Sequence, residues 1–403
     1  MKTIFPVDQF QKIETPFYYY DTDRLNRTLS TVESLARQHG YHVHYALKAN
    51  ANIPILRMIS SYGFGADCVS GYEIRRALET GFDPSDIVFA GVGKADWEIE
   101  LGLDEGISCF NSESIQELEV INDLAARKGL KAPISLRINP HVDARTHHYI
   151  TTGIEENKFG INPWDWEKVT RFLEKADNLD WKGLHFHIGS QITNYDVFKG
   201  LCTRINEIQA WFACNMLTPK IINVGGGLGI DYSNPDGPEP DFKSYFEIFR
   251  QHLDLQPGQE VHFEPGRALV AQSGSLISKV LYIKEGVKTR FAILDAGMTE
   301  LIRPALYQAF HLIENLSSAG PYTLYDVVGP ICESSDCFGK AVNLPETHRG
   351  NLIAIRSAGA YGETMSSNYN LREKVKTWYS DEITSDEPTT HTSSGEQAGK
   401  TRS

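Results

Sequence analysis

YHVHYALKAN, residues 41–50, alternates large side chains as far as Leu47 and then presents one amine, Lys48, followed by Ala49 and Asn50. Alternation with a period of two is the pattern of a strand. A lysine where such a run ends has two readings. It can be an ammonium that snorkels to solvent along its own aliphatic stem. It can also be a partly desolvated amine at the mouth of a barrel, placed to form an imine with an aldehyde cofactor. What else shares that rim decides between them.

The 403 residues are enough for one large barrel and a smaller domain, and 41% hydrophobic with 23% charged residues is ordinary for a soluble globular protein. The net charge of −13 argues against nucleic acid as the main partner, while leaving room for an anionic small molecule in a local site. No apolar run is long enough to span a membrane, and the start MKTIFPVDQF lacks the apolar core of a signal peptide. The six cysteines, at 68, 109, 202, 214, 332 and 337, form no CxxC pair, which suits reduced thiols and a cytoplasmic location.

Strand-like runs recur at YHVHYAL (41–47), FGADCVS (64–70), DIVFAG (86–91), GISCF (106–110), PISLRIN (133–139), KGLHFHI (182–188), KIINVGG (220–226) and QEVHFEP (259–265). Between them lie helical patterns such as SGYEIRRALETG (70–81) and SESIQELEVINDLAARKG (112–129). Strands alternating with helices predict parallel pairing through right-handed crossovers, and eight such units predict a closed (β/α)8 TIM barrel. Beyond Glu264 the texture changes to SGSLISKVLYIKEGVKTRFAILDAG (273–297), YTLYDVVGP (322–330) and NLIAIRSAGAYG (351–362), strands with glycine punctuation. The expected division is therefore an N-terminal strand segment over 1–20 that joins the β domain, a barrel over 21–264, a C-terminal β-sandwich or β-barrel domain over 265–383, and a polar, disordered tail over 384–403.

In a barrel of this type chemistry sits at the C-terminal ends of the strands. Lys48 follows the first expected strand, His187 ends the sixth, Gly225-Gly226-Gly227 follows the seventh, and Glu264-Pro265-Gly266-Arg267 follows the eighth. Taken singly, each has a plain reading. The GGGLGI loop lacks full GxGxxG spacing and can be a tight turn. Glu264 can simply pair with Arg267. His185 and His187 share a strand face, but HExxH and CxxC are absent, and His141, His147 and His148 form a loop cluster of the kind that is usually solvated. No metal is expected. Together the pieces fit one ligand: an amine for an aldehyde, glycine N–H groups for a phosphate, an imidazole against a ring face, and a carboxylate that keeps a pyridine nitrogen protonated. That ligand is pyridoxal 5′-phosphate.

With YALKAN, RINPHVDARTHHYITTGIEENKFGI (137–161), HFHIGSQ, NVGGGLGIDY, EPGR, LIRPALY (301–307), GPICESSD (329–336) and SAGAYGETMSSNYN (357–370) in this order, residues 15–372 resemble the pyridoxal-phosphate-dependent decarboxylases of the alanine-racemase-like fold. The resemblance implies that Lys48 bonds the cofactor, His187 stacks on its ring and Ser190 lies near the phosphate. It implies further that Gly226, Gly227, Glu264, Pro265, Gly266, Arg267 and Tyr361 complete the cofactor site. Arg267, Arg303, Tyr307, Glu333 and Tyr361 would bind substrate, and Cys332 would return the proton that replaces the lost carboxylate. Cys332 and Glu333 would serve the neighbouring subunit's site in a homodimer. Two arginines and a glutamate suit a far end bearing both carboxylate and ammonium, so the expected reaction takes meso-diaminopimelate to L-lysine and CO2, the last step of lysine biosynthesis. Decarboxylases of ornithine, arginine or carboxynorspermidine, an amino-acid racemase, a non-catalytic cofactor-binding homologue and a metal-dependent barrel hydrolase are the rivals. The resemblance fades after SSNYN, where LREKVKTWYSDEI replaces the family's Pro- and Arg-rich segment, and Cys337 stands where an apolar residue is expected.

Overall fold

The computed structural model describes residues 5–141 and 158–383. After a first strand, β1 (Phe17–Tyr20), come β2 (Tyr41–Ala46), β3 (Gly65–Cys68), β4 (Ile87–Phe89), β5 (Cys109–Ser112), β6 (Ala132–Arg137), β7 (Leu179–His185), β8 (Ile221–Asn223) and β9 (Glu260–Phe263). Strands β2 to β9 pair in chain order, all parallel, and β9 returns to β2 to close the barrel. Helices between them begin and end where capping residues dictate. Ser70 accepts from the Glu73 N–H at the start of Gly71–Glu79, Ser114 accepts from the Glu117 N–H at the start of Ile115–Lys128, and Gly129 ends the latter in the left-handed conformation.

The seam between β2 and β9 shows how the alternation in YHVHYAL is used. Tyr41 and Phe263 face outward and pack with Phe246 of the helix Phe242–His252, ring centroids 4.7 to 5.6 Å apart. His44 and His262 face the lumen instead and meet there at 2.9 Å. Phe263 is fully buried, so truncating it to alanine would cost about 3–5 kcal/mol and loosen the strand that carries Glu264.

The second sheet contains β10 (Gly274–Glu285), β11 (Arg290–Leu294), β12 (Ile313–Asn315), β13 (Tyr322–Val328), β14 (Cys337–Pro345), β15 (Leu352–Ile355) and β16 (Lys376–Tyr379). With β1 it makes one eight-stranded sheet of order β12-β15-β10-β11-β13-β14, in which β1 bridges β10 and β16. The unfamiliar segment after SSNYN is thus ordered: KTWY runs parallel to β1 and is followed by a short helix, Ser380–Ile383. Residues 384–403, expected to form a polar tail, lie outside the described residues, as do His147 and His148.

Strand boundaries differ from the sequence expectation throughout the barrel, with the largest shifts at β5, β7 and β8. Gly106 caps the helix Asp96–Glu105 with φ 67°, so β5 starts at Cys109 rather than Gly106. β7 starts at Leu179 and ends at His185, which places His187 on the loop beyond the strand. The added start of β7 reads LDWK, with Asp180 exposed and Trp181 and Lys182 half-buried, and it carries no apolar run to mark a strand. Strands β12, β14 and β16 were not anticipated. All six cysteines are free, and among the described residues no helix is long and apolar enough to cross a membrane.

Candidate active site

The C-terminal rim of the barrel holds a buried network built around Glu264. Its carboxylate accepts from Asn223 Nδ2 at 2.7 Å and Asn111 Nδ2 at 3.3 Å, and lies 2.9 Å from His185 Nε2. Asn111 on β5 and His185 on β7 meet a residue following β9 only through the lumen, since neither strand is paired with β9. Glu264 therefore does not pair with Arg267, which instead donates to Tyr232 Oη (2.6 Å) and Ser190 Oγ (3.1 Å) and lies over the Tyr361 ring at 4.8 Å.

Lys48 sits in the single turn Leu47–Ala49 that ends β2, with its Nζ 3.2 Å from Asp67 Oδ2 on β3. About a third of its side chain (36%) is open to the cavity, whereas Asp67 is fully buried. The two lumen carboxylates are driven apart. Burial, repulsion from Glu264 and the opposing pull of Lys48 leave Asp67 pushed up to about 6. Burial acts on Glu264 as well, but His185 and Lys48 more than offset it and hold that carboxyl well below the usual carboxylate range. Desolvation opposes charge on Lys48, and Asp67, Tyr361 and Glu264 outweigh it, so the amine lies above the ordinary lysine range. Neighbouring acids with separated affinities for protons are what acid–base work at one site requires.

Around this pair stand the other rim residues. Burial, with Arg137 and Lys48 nearby, holds His187 well below the ordinary histidine range, so its ring is neutral, and its Nδ1 accepts a long 3.4 Å bond from the Gly226 N–H. A Cβ on Gly226 would stand 2.2 Å from the Glu264 carbonyl oxygen, and Gly227 has φ 103°. Only glycine allows the loops after β7, β8 and β9 to converge so closely. Asn50 answers the last question raised by KAN. Its buried amide donates to Tyr20 Oη at 2.7 Å and Gly359 O at 2.9 Å, while the Tyr361 N–H donates to Ala49 O. These bonds bring a loop of the β domain over the barrel mouth and hold Tyr361 at φ 55° beside Lys48 and Arg267.

Arg303, on the short helix Arg303–Tyr307, lies over the Tyr232 ring at 5.1 Å. Burial lowers its proton affinity. The Nε atoms of both Arg267 and Arg303 are buried without a hydrogen-bond partner, and neither guanidinium makes an ion pair among the described residues. Tyr307 is one turn from Arg303 and half-buried. Cys332 and Glu333 are not brought to this cluster. They lie exposed between β13 and β14, where Glu333 accepts from Tyr369 Oη at 2.9 Å. Burial pushes the Cys337 thiol up, which makes it a poor rival.

Asp67, His185, Asn111, Asn223 and Tyr232 are missing from the sequence-derived site. The one signal for Asp67 was an acid inside the apolar run FGADCVS. The others looked like ordinary polar residues in or after strands.

These residues fit pyridoxal 5′-phosphate: an amine open to the cavity, an anionic carboxylate for the ring nitrogen, a neutral flat ring, and glycines that leave no room for a side chain where a phosphate would rest. The fold and the rim thus define a barrel enzyme built around a pyridoxal cofactor. Residues 23–271 match the family model for the pyridoxal-binding domain of pyridoxal-dependent decarboxylases. The chain belongs to this family of carboxy-lyases, and its cofactor is pyridoxal 5′-phosphate. It is 58% identical over 385 residues to the diaminopimelate decarboxylase of Bacteroides thetaiotaomicron, covering 95% of this chain and all of that one. The diaminopimelate decarboxylase of Vibrio cholerae is 43% identical over 364 residues, 90% of this chain and 86% of the relative. The crystal structure of diaminopimelate decarboxylase from Helicobacter pylori complexed with L-lysine superposes with TM-score 0.88 at 40% identity, covering 93% of each chain.

Proposed function

We propose that this chain decarboxylates meso-2,6-diaminopimelate to L-lysine and CO2, the closing step of lysine biosynthesis, as a cytoplasmic homodimer. The observation that carries the substrate assignment is the pair Arg267 and Arg303. Buried guanidiniums without counter-anions are costly, and a ligand carboxylate relieves them. Diaminopimelate has a second amino-acid end to offer, whereas ornithine and arginine have only a cationic far end. In this reading the barrel over 21–264 carries most of the cofactor contacts, and Pro265 to Arg267 and Tyr361, from residues 265–383, complete the site.

When bound, pyridoxal 5′-phosphate supplies an aldehyde for the substrate amine and a ring that takes up the electron pair left by the departing carboxylate. Lys48 Nζ would hold that aldehyde, and Asp67 Oδ2, 3.2 Å from it, would take or return a proton at that nitrogen. An acid pushed up to about 6 suits this exchange near neutrality. Glu264, fixed by His185, Asn111 and Asn223, stays anionic and holds the proton on the ring nitrogen. His187 covers one ring face. Ser190, Gly226, Gly227 and Pro265 to Arg267 hold the phosphate. Arg267, Arg303, Tyr307 and Tyr361 seat the far end of the substrate. Cys332 Sγ, with Glu333 beside it, would come from the neighbouring subunit and would supply the proton that replaces the lost carboxylate.

The test is direct. Purified protein should absorb in the visible, borohydride should fix the cofactor on Lys48, and meso-diaminopimelate should yield lysine and CO2 in equal amounts while ornithine and arginine yield no CO2. A normal visible band with no lysine formed would sink the substrate assignment.

A further inference from the structure

At the opposite end of the barrel, where β2 and β9 begin, His42, Glu260 and His262 place three ligand atoms within 4.8 Å of one another. Glu260 Oε2 lies 3.4 Å from His262 Nε2 and 4.0 Å from His42 Nε2. His42 and His262 are register partners across the seam that closes the barrel, and their rings stack with centroids 4.6 Å apart. Among the described residues no side-chain hydrogen bond joins His42, Glu260 or His262 to Lys48 or Glu264.

Behind them runs a hydrogen-bond chain with only one consistent direction for neutral rings. The Asp86 carbonyl can only accept, so the His44 Nδ1 at 2.9 Å from it carries the proton. His44 Nε2 is then bare and accepts from His262 Nδ1, also at 2.9 Å. His262 Nε2 is left as a lone pair aimed at a carboxylate oxygen. His44 and His262 are both buried, which disfavours the charged ring and leaves two acceptors facing one another. The backing is specifically accommodated: a Cβ on Gly65 would lie 2.4 Å from His44 Nδ1 and 2.3 Å from Asp86 O, so only glycine lets this bond pass.

We propose that His42, Glu260 and His262 form a binding site for a divalent transition-metal ion of the zinc class, which clamps the first barrel strand to the last. Two imidazoles and a carboxylate are a common zinc donor set, and a ligating histidine that donates its other N–H to a backing acceptor is the usual arrangement behind it. Tetrahedral ligands at ordinary zinc distances lie about 3.3–3.5 Å apart. The His262–Glu260 pair already meets that spacing, and the half-exposed His42 and exposed Glu260 side chains have room to close the rest. Water would fill the fourth position. The ion would tie together residues 218 positions apart (42 and 260) at the point where the barrel has no covalent continuity. Sequence inspection passed over this set because its ligands come from two remote strands and match no short motif.

The experiment uses cofactor-loaded full-length enzyme, stripped of trace metal and titrated calorimetrically with zinc chloride, with cobalt(II) as a spectroscopic stand-in. The expected result is one ion per chain, tetrahedral cobalt bands without thiolate charge transfer, an unchanged cofactor band, and a melting temperature raised by about 2 °C or more with zinc in excess. Both His42→Ala and Glu260→Gln alter exposed side chains, so the fold should survive. Each should weaken zinc binding at least about tenfold and abolish the thermal shift. No stoichiometric binding by the wild type, or wild-type binding by both variants, would overturn the site.

Discussion

The lumen cluster around Lys48 and the loop that carries Cys332 are asked to serve one reaction, yet they are built in opposite ways. Lys48, Asp67, His185 and Glu264 are wired to one another inside the barrel, and every member comes from a strand or strand end of the same chain. Cys332 and Glu333 stand on the surface between two strands of the other sheet, and the only polar side chain that meets Glu333 among the described residues is Tyr369. The difference bears on the proposed homodimer. Groups that hold a cofactor must be prearranged and desolvated, which one barrel provides. In the proposed dimer the proton donor would be the exposed Cys332 of the second chain.

The strongest way to break the comparison is to empty its lumen side. Lys48→Ala should lower kcat by more than about 10⁴-fold and abolish borohydride-resistant labelling by the cofactor, checked by mass spectrometry of the labelled peptide. Glu264→Gln removes the fixed charge but keeps the shape, and should cost on the order of 10³-fold in kcat with KM little changed. Cys332→Ala should cost about 10²-fold, the usual scale for one general acid.

The decisive sharpening comes from mixing. Lys48→Ala and Cys332→Ala dimers, allowed to exchange subunits in equal amounts, should regain about a quarter of wild-type activity, because half the dimers are hybrids and each hybrid has one intact site. No recovery despite demonstrated exchange would return Cys332 to the site of its own chain. A smaller effect falls on the substrate end: Arg303→Met should raise KM for meso-diaminopimelate about ten- to a hundredfold, the worth of a charged hydrogen bond, while leaving cofactor binding alone.

The smallest effect concerns pH. Glu264 lies below its ordinary 4.5 in the fold, so its contribution to stability is complete above about pH 4.5 and is lost as pH falls toward the lowered value. The melting temperature of the wild type should therefore lose ground to that of Glu264→Gln as acid is added below pH 4.5. A gap that widened instead would show that the charge does not reside on Glu264.

Much of this site was legible in the chain because barrel chemistry follows strand ends, and strand ends are marked. Lys48 closes an alternating run, Glu264 precedes a proline and a glycine, and the triple glycine has few uses other than close approach. Asp67, Asn111 and His185 were not legible, since a polar residue on a strand is ordinary until its facing neighbours are known. The same reason hid the strand β16, whose partner β1 lies more than 350 residues earlier, and the polar, partly exposed LDWK hid the start of β7. The alternative pairing of Glu264 with Arg267 failed for a geometric cause. Four positions past the strand end, Arg267 has turned into a short helix, Arg267–Val270, and faces Tyr232 instead.

By itself the sequence determined the alternation of strands and helices, the lysine at the end of the first barrel strand and the run of rim residues, because these are local in the chain and obey periods of two and 3.6 residues. Only the tertiary structure decided which carboxylate holds its proton more tightly, which guanidiniums are left in need of an anion, and which histidines meet at the barrel floor. Those properties depend on desolvation and on distances between strands far apart in sequence, and neither exists until the barrel closes.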